Sequence, residues 1–495
     1  MDRIDVILVE PIAEIRPTIY GHFAEHLGEC IYGGIWVGED SVIPNRGGIR
    51  LDVVQALSRL RPAVIRWPGG CFADDYHWQD GIGPRAQRPR RVNLHWGEVI
   101  ETNAFGTEEF IRLCRMVGAA PYICGNVGSG SPREMRDWIE YCNLAGGSTW
   151  SDARAANGSP EPHDVTYWGI GNENWGCGGH FTPEDYATEY RRFATFAWSF
   201  GGKPLYRIAC GPAGNDADWT RRFFTKLRRD YHRAPGIEGY AAHYYCGTAG
   251  TATEYTVDQW YELLDKALRM EELVVQQRAI MDTFDPKRSI GLIVDEWGVW
   301  HPPVEGRNPR FLWQQNTMRD ALVAALTLNI FNNHADKVVM SNIAQTINVL
   351  QAVILTEGDR MLVTPTGYVY EMYAPHQGAQ AVRTVLQTSG IEYGAQGRRV
   401  PQLSVSGSRH ENNLTLTLVN THASAPLAVE IRLHGAEADG ASGVVLRAAD
   451  IHAHNTFAAP ELVHPVAAAL PAVSKGALHA ELPPASVTRL DVALG

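Results

Sequence analysis

The chain has 495 residues, 45% hydrophobic and 20% charged, enough for one large core and at least one smaller domain. A net charge of −11 leaves no broad basic surface for nucleic acid, and the arginine-rich PRAQRPRR at 84–91 is local enough to read as a solvated loop. No run reaches the ~18–20 apolar residues of a membrane span, the N-terminus lacks the basic and apolar regions of a signal peptide, and eight cysteines are scattered singly. A cytoplasmic protein with reduced thiols is therefore expected.

RIDVILV at 3–9 alternates as a half-buried strand does. Residues 1–16 are thus expected to form an N-terminal strand that joins a C-terminal sheet. From 17 to 375, short β-branched runs alternate with helical patterns, the mark of βα units on a parallel sheet. Strands are expected at 18–23 (TIYGHF), 63–67 (AVIRW), 121–127 (PYICGNV), 165–171 (VTYWGIG), 206–211 (YRIACG), 239–245 (GYAAHYY), 290–297 (IGLIVDEW) and 336–342 (DKVVMSN). Helical patterns cover 51–60, 106–118, 182–201 and 311–331, the third opened by Thr182, Pro183 and Asp185 in capping-box spacing. Eight such units, with no G-x-G-x-x-G turn after any strand, make an α/β fold of the (β/α)8 barrel type rather than an open doubly wound sheet.

Beyond residue 376 the texture changes. All 14 tryptophans lie at or before Trp313, and LTLTLVN and SVTRLDVAL alternate, so 376–495 reads as an antiparallel, jelly-roll-like β-sandwich domain. Within it the Pro/Ala-rich HPVAAALPAVSKGALHAELPPA at 464–485 reads as a loop.

Chemistry in such a barrel collects at the C-terminal ends of the strands. The first ends at Glu25, the second at Arg66 and PGG, the fourth at Asn172 and Glu173, the sixth at HYY and the seventh at Glu296. Two carboxylates across a barrel mouth suit glycoside hydrolysis: one acid protonates the leaving oxygen, and one carboxylate attacks carbon or activates water. Trp175, Trp297 and Trp300 would supply faces on which sugars stack. A rival is a zinc hydrolase, because GHFAEHLGE at 21–29 holds His22, Glu25 and His26 in H-x-x-E-H spacing. That chemistry needs a helix, whereas here the motif continues a strand-like run and Gly28 follows two residues later.

Taken together, YGHFAEHLGECIYGGIW, IRWPGGCFADDYHWQDGIGP, WGIGNENWG, DEWGVW, HADKVVMSNIAQTINVL and PTGYVYEMYAPHQGA resemble the α-L-arabinofuranosidases of glycoside hydrolase family 51, over about residues 18–380. The resemblance implies a retaining, exo-acting enzyme that releases terminal α-L-arabinofuranosyl residues from arabinoxylan- or arabinan-type saccharides. Neither cofactor nor metal is implied; a homo-oligomer, commonly a hexamer, is. Glu173 would be the acid/base, arriving protonated, and Glu296 the ionised nucleophile, with Arg66 and the Tyr245 hydroxyl as its expected donors. Asn172 would meet the sugar 2-hydroxyl, with Glu25, His243, Gln345 and Trp300 as further substrate contacts. A β-1,4-endoglucanase or β-xylosidase on the same frame is the alternative, since the catalytic pair does not encode the ring form accepted. Many members have asparagine after PGG, where this chain has Cys71 as its substrate contact. Cys71 and Cys177 both fall by the mouth; two unrelated free thiols are expected, with a bridge as the alternative.

Overall fold

Short apolar runs that are buried on both faces close into a parallel barrel in the computed structural model, which describes residues 2–229, 236–247, 249–474 and 477–495. Its strands are β1 (Gly21–Phe23), β2 (Val64–Trp67), β3 (Ala120–Gly125), β4 (Tyr167–Ile170), β5 (Tyr206–Ala213), β6 (Gly239–Gly247), β7 (Gly291–Trp300) and β8 (Val338–Ala344). Each pairs with the next in parallel and β8 returns to β1. Val64, Tyr122, Ile208, Ala241, Ile293 and Met340, one from each of six strands, pack together as an apolar layer inside the barrel. That layer leaves the C-terminal strand ends as the place where polar side chains converge.

Local chemistry moved several expected boundaries. Pro17 starts a 3-10 turn over Pro17–Tyr20, so the first strand is only Gly21–Phe23. The helix expected at 311–331 instead spans Met318–Asn333. Thr317 and Asp320 cap it reciprocally, the Asp320 carboxylate accepting from the Thr317 N–H at 2.7 Å, and this sets its first turn. Residues 312–317 are thereby freed as a loop at the barrel mouth, after the 3-10 turn Pro309–Phe311. At Thr182 the hydroxyl accepts from the Asp185 N–H and donates to the Asp185 carboxylate, half of the expected capping box. Nor is the arginine-rich stretch only a solvated loop: Arg88 is buried, bonded to Glu109 and to the carbonyls of Asn103 and Ala104.

The second core belongs to a ten-stranded sheet. Asp2–Glu14 lies inside it, antiparallel to Gln380–Gln387 and parallel to Leu427–His434. The two edge strands, Val466–Ala467 and Ala472–Ser474, sit five residues apart in the chain. Five residues span at most about 18 Å, so the ends of the sheet must come close together and the sheet curls into a sandwich. Val6, Val382, Leu416, Ile431 and Leu490 are buried within it. The segment read as a Pro/Ala-rich loop therefore supplies three strands, with Leu478 and Leu482 of Ala477–Leu482 in the core; Lys475 and Gly476 lie outside the described residues. Helix Met318–Asn333 joins the two parts through Asn329, Asn332 and Asn333, which donate to Ser404, Ser406 and the Val405 carbonyl.

Candidate active site

The end of β7 carries two adjacent carboxylates with different surroundings. Glu296 Oε1 accepts from Arg66 Nη1 at 2.7 Å, and Oε2 accepts from the Tyr245 hydroxyl at 2.8 Å. Arg66, fully buried on β2, also donates to Asn172 Oδ1 at 2.5 Å and lies 3.3 Å from Asp295. Asp295 is held in turn by the Tyr122 hydroxyl and Asn342. Burial by itself would push the Glu296 carboxyl up. The charges of His243 and Arg66, with the bonds from Arg66 and Tyr245, outweigh it and hold the group below the usual carboxylate range. Glu296 is therefore ionised, oriented through both oxygens, and shielded from water.

Glu173 follows β4 with φ at 41°, in the left-handed region that costs a non-glycine residue about 1–3 kcal/mol. Its Oε1 accepts from His243 Nδ1 at 2.9 Å, and the same nitrogen lies 3.5 Å from Glu296 Oε2. Burial lowers the His243 pKa, but the Glu296 charge and the Glu173 bond reverse this and raise it. Oxygens of Glu173 and Glu296 and a His243 nitrogen all lie within 4.8 Å of one another. These three would be the likeliest metal ligands by type, yet they already bond to one another or to Arg66, whose cation opposes a second positive charge.

Around this pair is a pocket of about 360 Å³, mouth included, lined by Glu25, Gly70, Cys71, Trp96, Glu173, Tyr245, Glu296, Trp300, Leu312 and Gln345. Buried Glu25 accepts from the Phe72 N–H (3.1 Å), Trp96 Nε1 (2.9 Å) and Gln345 Nε2 (3.0 Å). Burial, aided by the Glu296 charge, pushes its carboxyl up to about 7. The PGG turn lets the chain pass close to both carboxylates. A Cβ on Gly69 would sit 2.8 Å from Glu25 Cγ, and one on Gly70 3.1 Å from Glu296 Oε1. Trp300 packs edge-on against Tyr245 with its centroid 5.2 Å away and is 37% exposed.

Against known proteins, one family model, the α-L-arabinofuranosidase C-terminal domain, matches residues 295–486, and another, the α-L-arabinofuranosidase 1 domain, matches 56–201. An intracellular exo-α-L-arabinofuranosidase of Bacteroides ovatus is 42% identical, covering 97% of this chain and 93% of that protein. The chain belongs to glycoside hydrolase family 51. It is a glycosidase that cleaves arabinofuranosides. The family 51 arabinofuranosidase of Xanthomonas axonopodis pv. citri superposes with a TM-score of 0.96 at 41% identity, covering 99% of both chains. An arabinose complex of the Thermotoga maritima α-L-arabinofuranosidase gives 0.88 at 32% identity, covering the whole of both.

Two readings of the sequence need correction in this family 51 enzyme, and the rival that the sequence disfavours finds no support. Cys71 and Cys177 are not free thiols but a disulfide joining the loops after β2 and β4, with Cα atoms 5.5 Å apart. Their 106-residue separation hid a pairing that the barrel creates by bringing two loops together. Cys71 thus offers the pocket a sulfur without a proton, and Cys177 and Cys71 Sγ lie 3.6 and 3.9 Å from Glu173 Oε2. The other six cysteines are free and buried. Alkylation of unfolded, unreduced protein should therefore titrate six thiols; eight would refute the bridge. Cys177→Ser should lower unfolding free energy by about 2–4 kcal/mol in denaturant titrations, since the bridge closes a long loop.

The zinc reading fails on direction. His22 packs against the Tyr370 ring, and burial pushes its pKa down to about 3. His26 has both nitrogens engaged, Nε2 accepting from Trp67 Nε1 at 3.0 Å and Nδ1 bonded to Glu101 at 2.8 Å. Of this motif only Glu25 reaches the pocket. The second correction concerns aromatics: Trp297 is a core residue whose Nε1 donates to Ser341, and Trp175 does not line the pocket.

Sequence reasoning missed Trp96 and Leu312. Trp96 sits in the connection between Arg91–Val92 and Ile100–Glu101, two-residue strands that carry no periodicity to read. His26 anchors that hairpin through Glu101, and its carbonyl accepts from Asn93 at 2.7 Å. A lone tryptophan in a loop after a barrel strand was the available signal.

Proposed function

We propose that this family 51 enzyme is exo-acting and retaining, releasing terminal non-reducing α-L-arabinofuranosyl residues from arabinoxylan- or arabinan-type oligosaccharides by double displacement. The observation that carries this reading is the short reach between the oxygens of Glu173 and Glu296, within 4.8 Å. Retaining glycosidases hold their carboxyl groups about 5–5.5 Å apart, whereas inverting ones leave about 6.5–9.5 Å for a water. A small pocket closed by Trp96, Trp300 and Leu312 suits one terminal ring better than the middle of a polymer.

The steps follow from the contacts. His243, its pKa raised by the two carboxyl groups it faces, donates through Nδ1 to Glu173 Oε1, leaving a proton on Oε2 to pass to the glycosidic oxygen. As that bond breaks, the Glu296 carboxylate attacks the anomeric carbon and forms a glycosyl ester while Arg66 and Tyr245 keep it aligned. Glu173, now a carboxylate, takes a proton from water, and the hydroxide oxygen displaces Glu296 from the opposite face. Asn172, its carbonyl oxygen occupied by Arg66 and one amide N–H directed at Cys177 Sγ, has its other N–H for the sugar 2-hydroxyl. Glu25 and Gln345 take the remaining hydroxyls, and Trp300 walls the pocket. We further extend to this chain the intracellular placement in the name of the Bacteroides ovatus relative. Disulfides are uncommon in reducing compartments, so the thiol count bears on that placement as well.

A panel of aryl glycosides tests the assignment. The α-L-arabinofuranoside should be cleaved fastest, and NMR should show the α-anomer of arabinofuranose as the first product. Preference for the β-D-xyloside or β-D-glucoside would favour the alternative activities, and first appearance of the β-anomer would mean inversion.

A further inference from the structure

We infer that Asp74 is a positioning residue for the acid/base station, holding the Asn172–Glu173 turn although it lies outside the pocket lining. This rests on the reading of Glu173 as the acid/base.

Asp74 belongs to the 3-10 turn Cys71–Asp75 that follows β2, and it is buried. Its Oδ1 accepts from the N–H groups of Val127 (2.7 Å) and Gly128 (2.9 Å), after β3, and its Oδ2 accepts from the N–H of Asn172 (2.8 Å), after β4. One carboxylate therefore ties together the loops leaving three successive strands. Its backbone carbonyl adds bonds from the Ser129 N–H and hydroxyl. The loop that carries Cys177 also closes onto it, since a Cβ on Gly178 would fall 2.5 Å from Asp74 Oδ2.

The geometry gives this clamp a chemical consequence. Asn172 is pinned at its backbone by Asp74 and at its side chain by Arg66, the residue that also grips Glu296. Glu173 comes next with its left-handed φ, a conformation that persists only where the surroundings over-determine it. Releasing the Asn172 N–H would let the turn relax and move the Glu173 carboxyl from the glycosidic oxygen. Misplacement by an ångström is enough to cost a proton-transfer group much of its contribution.

The test uses kcat/KM, which reports the steps through cleavage of the glycosidic bond, on two substrates. An arabinoxylo-oligosaccharide has a poor leaving group that needs the acid; 2,4-dinitrophenyl α-L-arabinofuranoside does not. In Asp74→Asn one amide oxygen must serve three N–H groups. We expect kcat/KM to fall about tenfold or more on the oligosaccharide and less than about threefold on the dinitrophenyl substrate. Asp74→Glu, which keeps the carboxyl group, should show the same selectivity to a smaller degree, and it decides the matter if Asp74→Asn does not fold. Equal losses on both substrates, or no loss, would mean that Asp74 only stabilises the loops and would overturn the inference. Glu173→Ala is the control. Selectivity there without selectivity at Asp74 refutes this inference alone, whereas its absence in Glu173→Ala refutes the acid/base assignment and the inference with it.

Discussion

Glu296→Ala should lower kcat for α-L-arabinofuranosides by a factor on the order of 10⁴ or more, because it removes the group that bonds to the anomeric carbon. The loss should persist on activated leaving groups, since without the carboxylate no glycosyl ester forms whatever departs. Azide, small enough to enter the vacated space, should restore turnover of an activated substrate and yield the β-anomer of the glycosyl azide by a single displacement. A variant that retained normal activity, or an α-azide product, would remove Glu296 from the nucleophile's role. The pH dependence carries a related expectation with a definite sign. Glu296 works as the anion, and Arg66 and His243 hold its pKa below the ordinary value of 4.5. In wild-type enzyme the part of the acid limb of kcat/KM that belongs to it should thus lie below pH 4.5, with activity lost as pH falls through the lowered pKa of Glu296.

Glu173→Ala should separate substrates by leaving group. Proton transfer to a departing alkoxide contributes about 10²–10⁴-fold, and kcat/KM on oligosaccharides should fall by that factor. On the dinitrophenyl substrate kcat/KM should change little, while kcat falls because the second step still needs a base. Azide should then raise kcat and give the α-anomer of the glycosyl azide, because it attacks the glycosyl ester from the face that water uses. The two variants should yield opposite azide anomers. No inverting arrangement produces that pair of outcomes, so the experiment tests the double displacement as well as the two residues.

The features legible in the sequence were those governed by near neighbours in the chain. A run such as AVIRW or VTYWGIG is apolar enough to be buried on both faces, and that requirement is local. The end of the run is local too, so GNEN after β4 and DEWG after β7 declared which side chains stand at the barrel mouth. Helix starts were readable where a capping residue and a proline coincide, as at Thr182, and misplaced where an aromatic stretch imitates helical periodicity, as at 311–317. The alternation of RIDVILV showed a strand; its partners Gln380–Gln387 and Leu427–His434 lie at the far end of the chain.

Tertiary structure alone decided the contacts that close the site. The Cys71–Cys177 bridge spans 106 residues, the Asp74–Asn172 bond 98 and the Trp96–Glu25 bond 71. None has a spacing that periodicity or a motif could encode, because loop lengths between barrel strands are free to vary while strand neighbours are not. Burial is likewise a property of the assembled barrel. It lifts Glu25 to about 7, whereas Glu296, equally buried, stays ionised because His243 from β6 and Arg66 from β2 meet it. The sequence by itself determined which groups are present and at which strand ends they stand. The closed barrel decided which of them touch, and a carboxylate's charge in a dry site depends on the neighbours it touches.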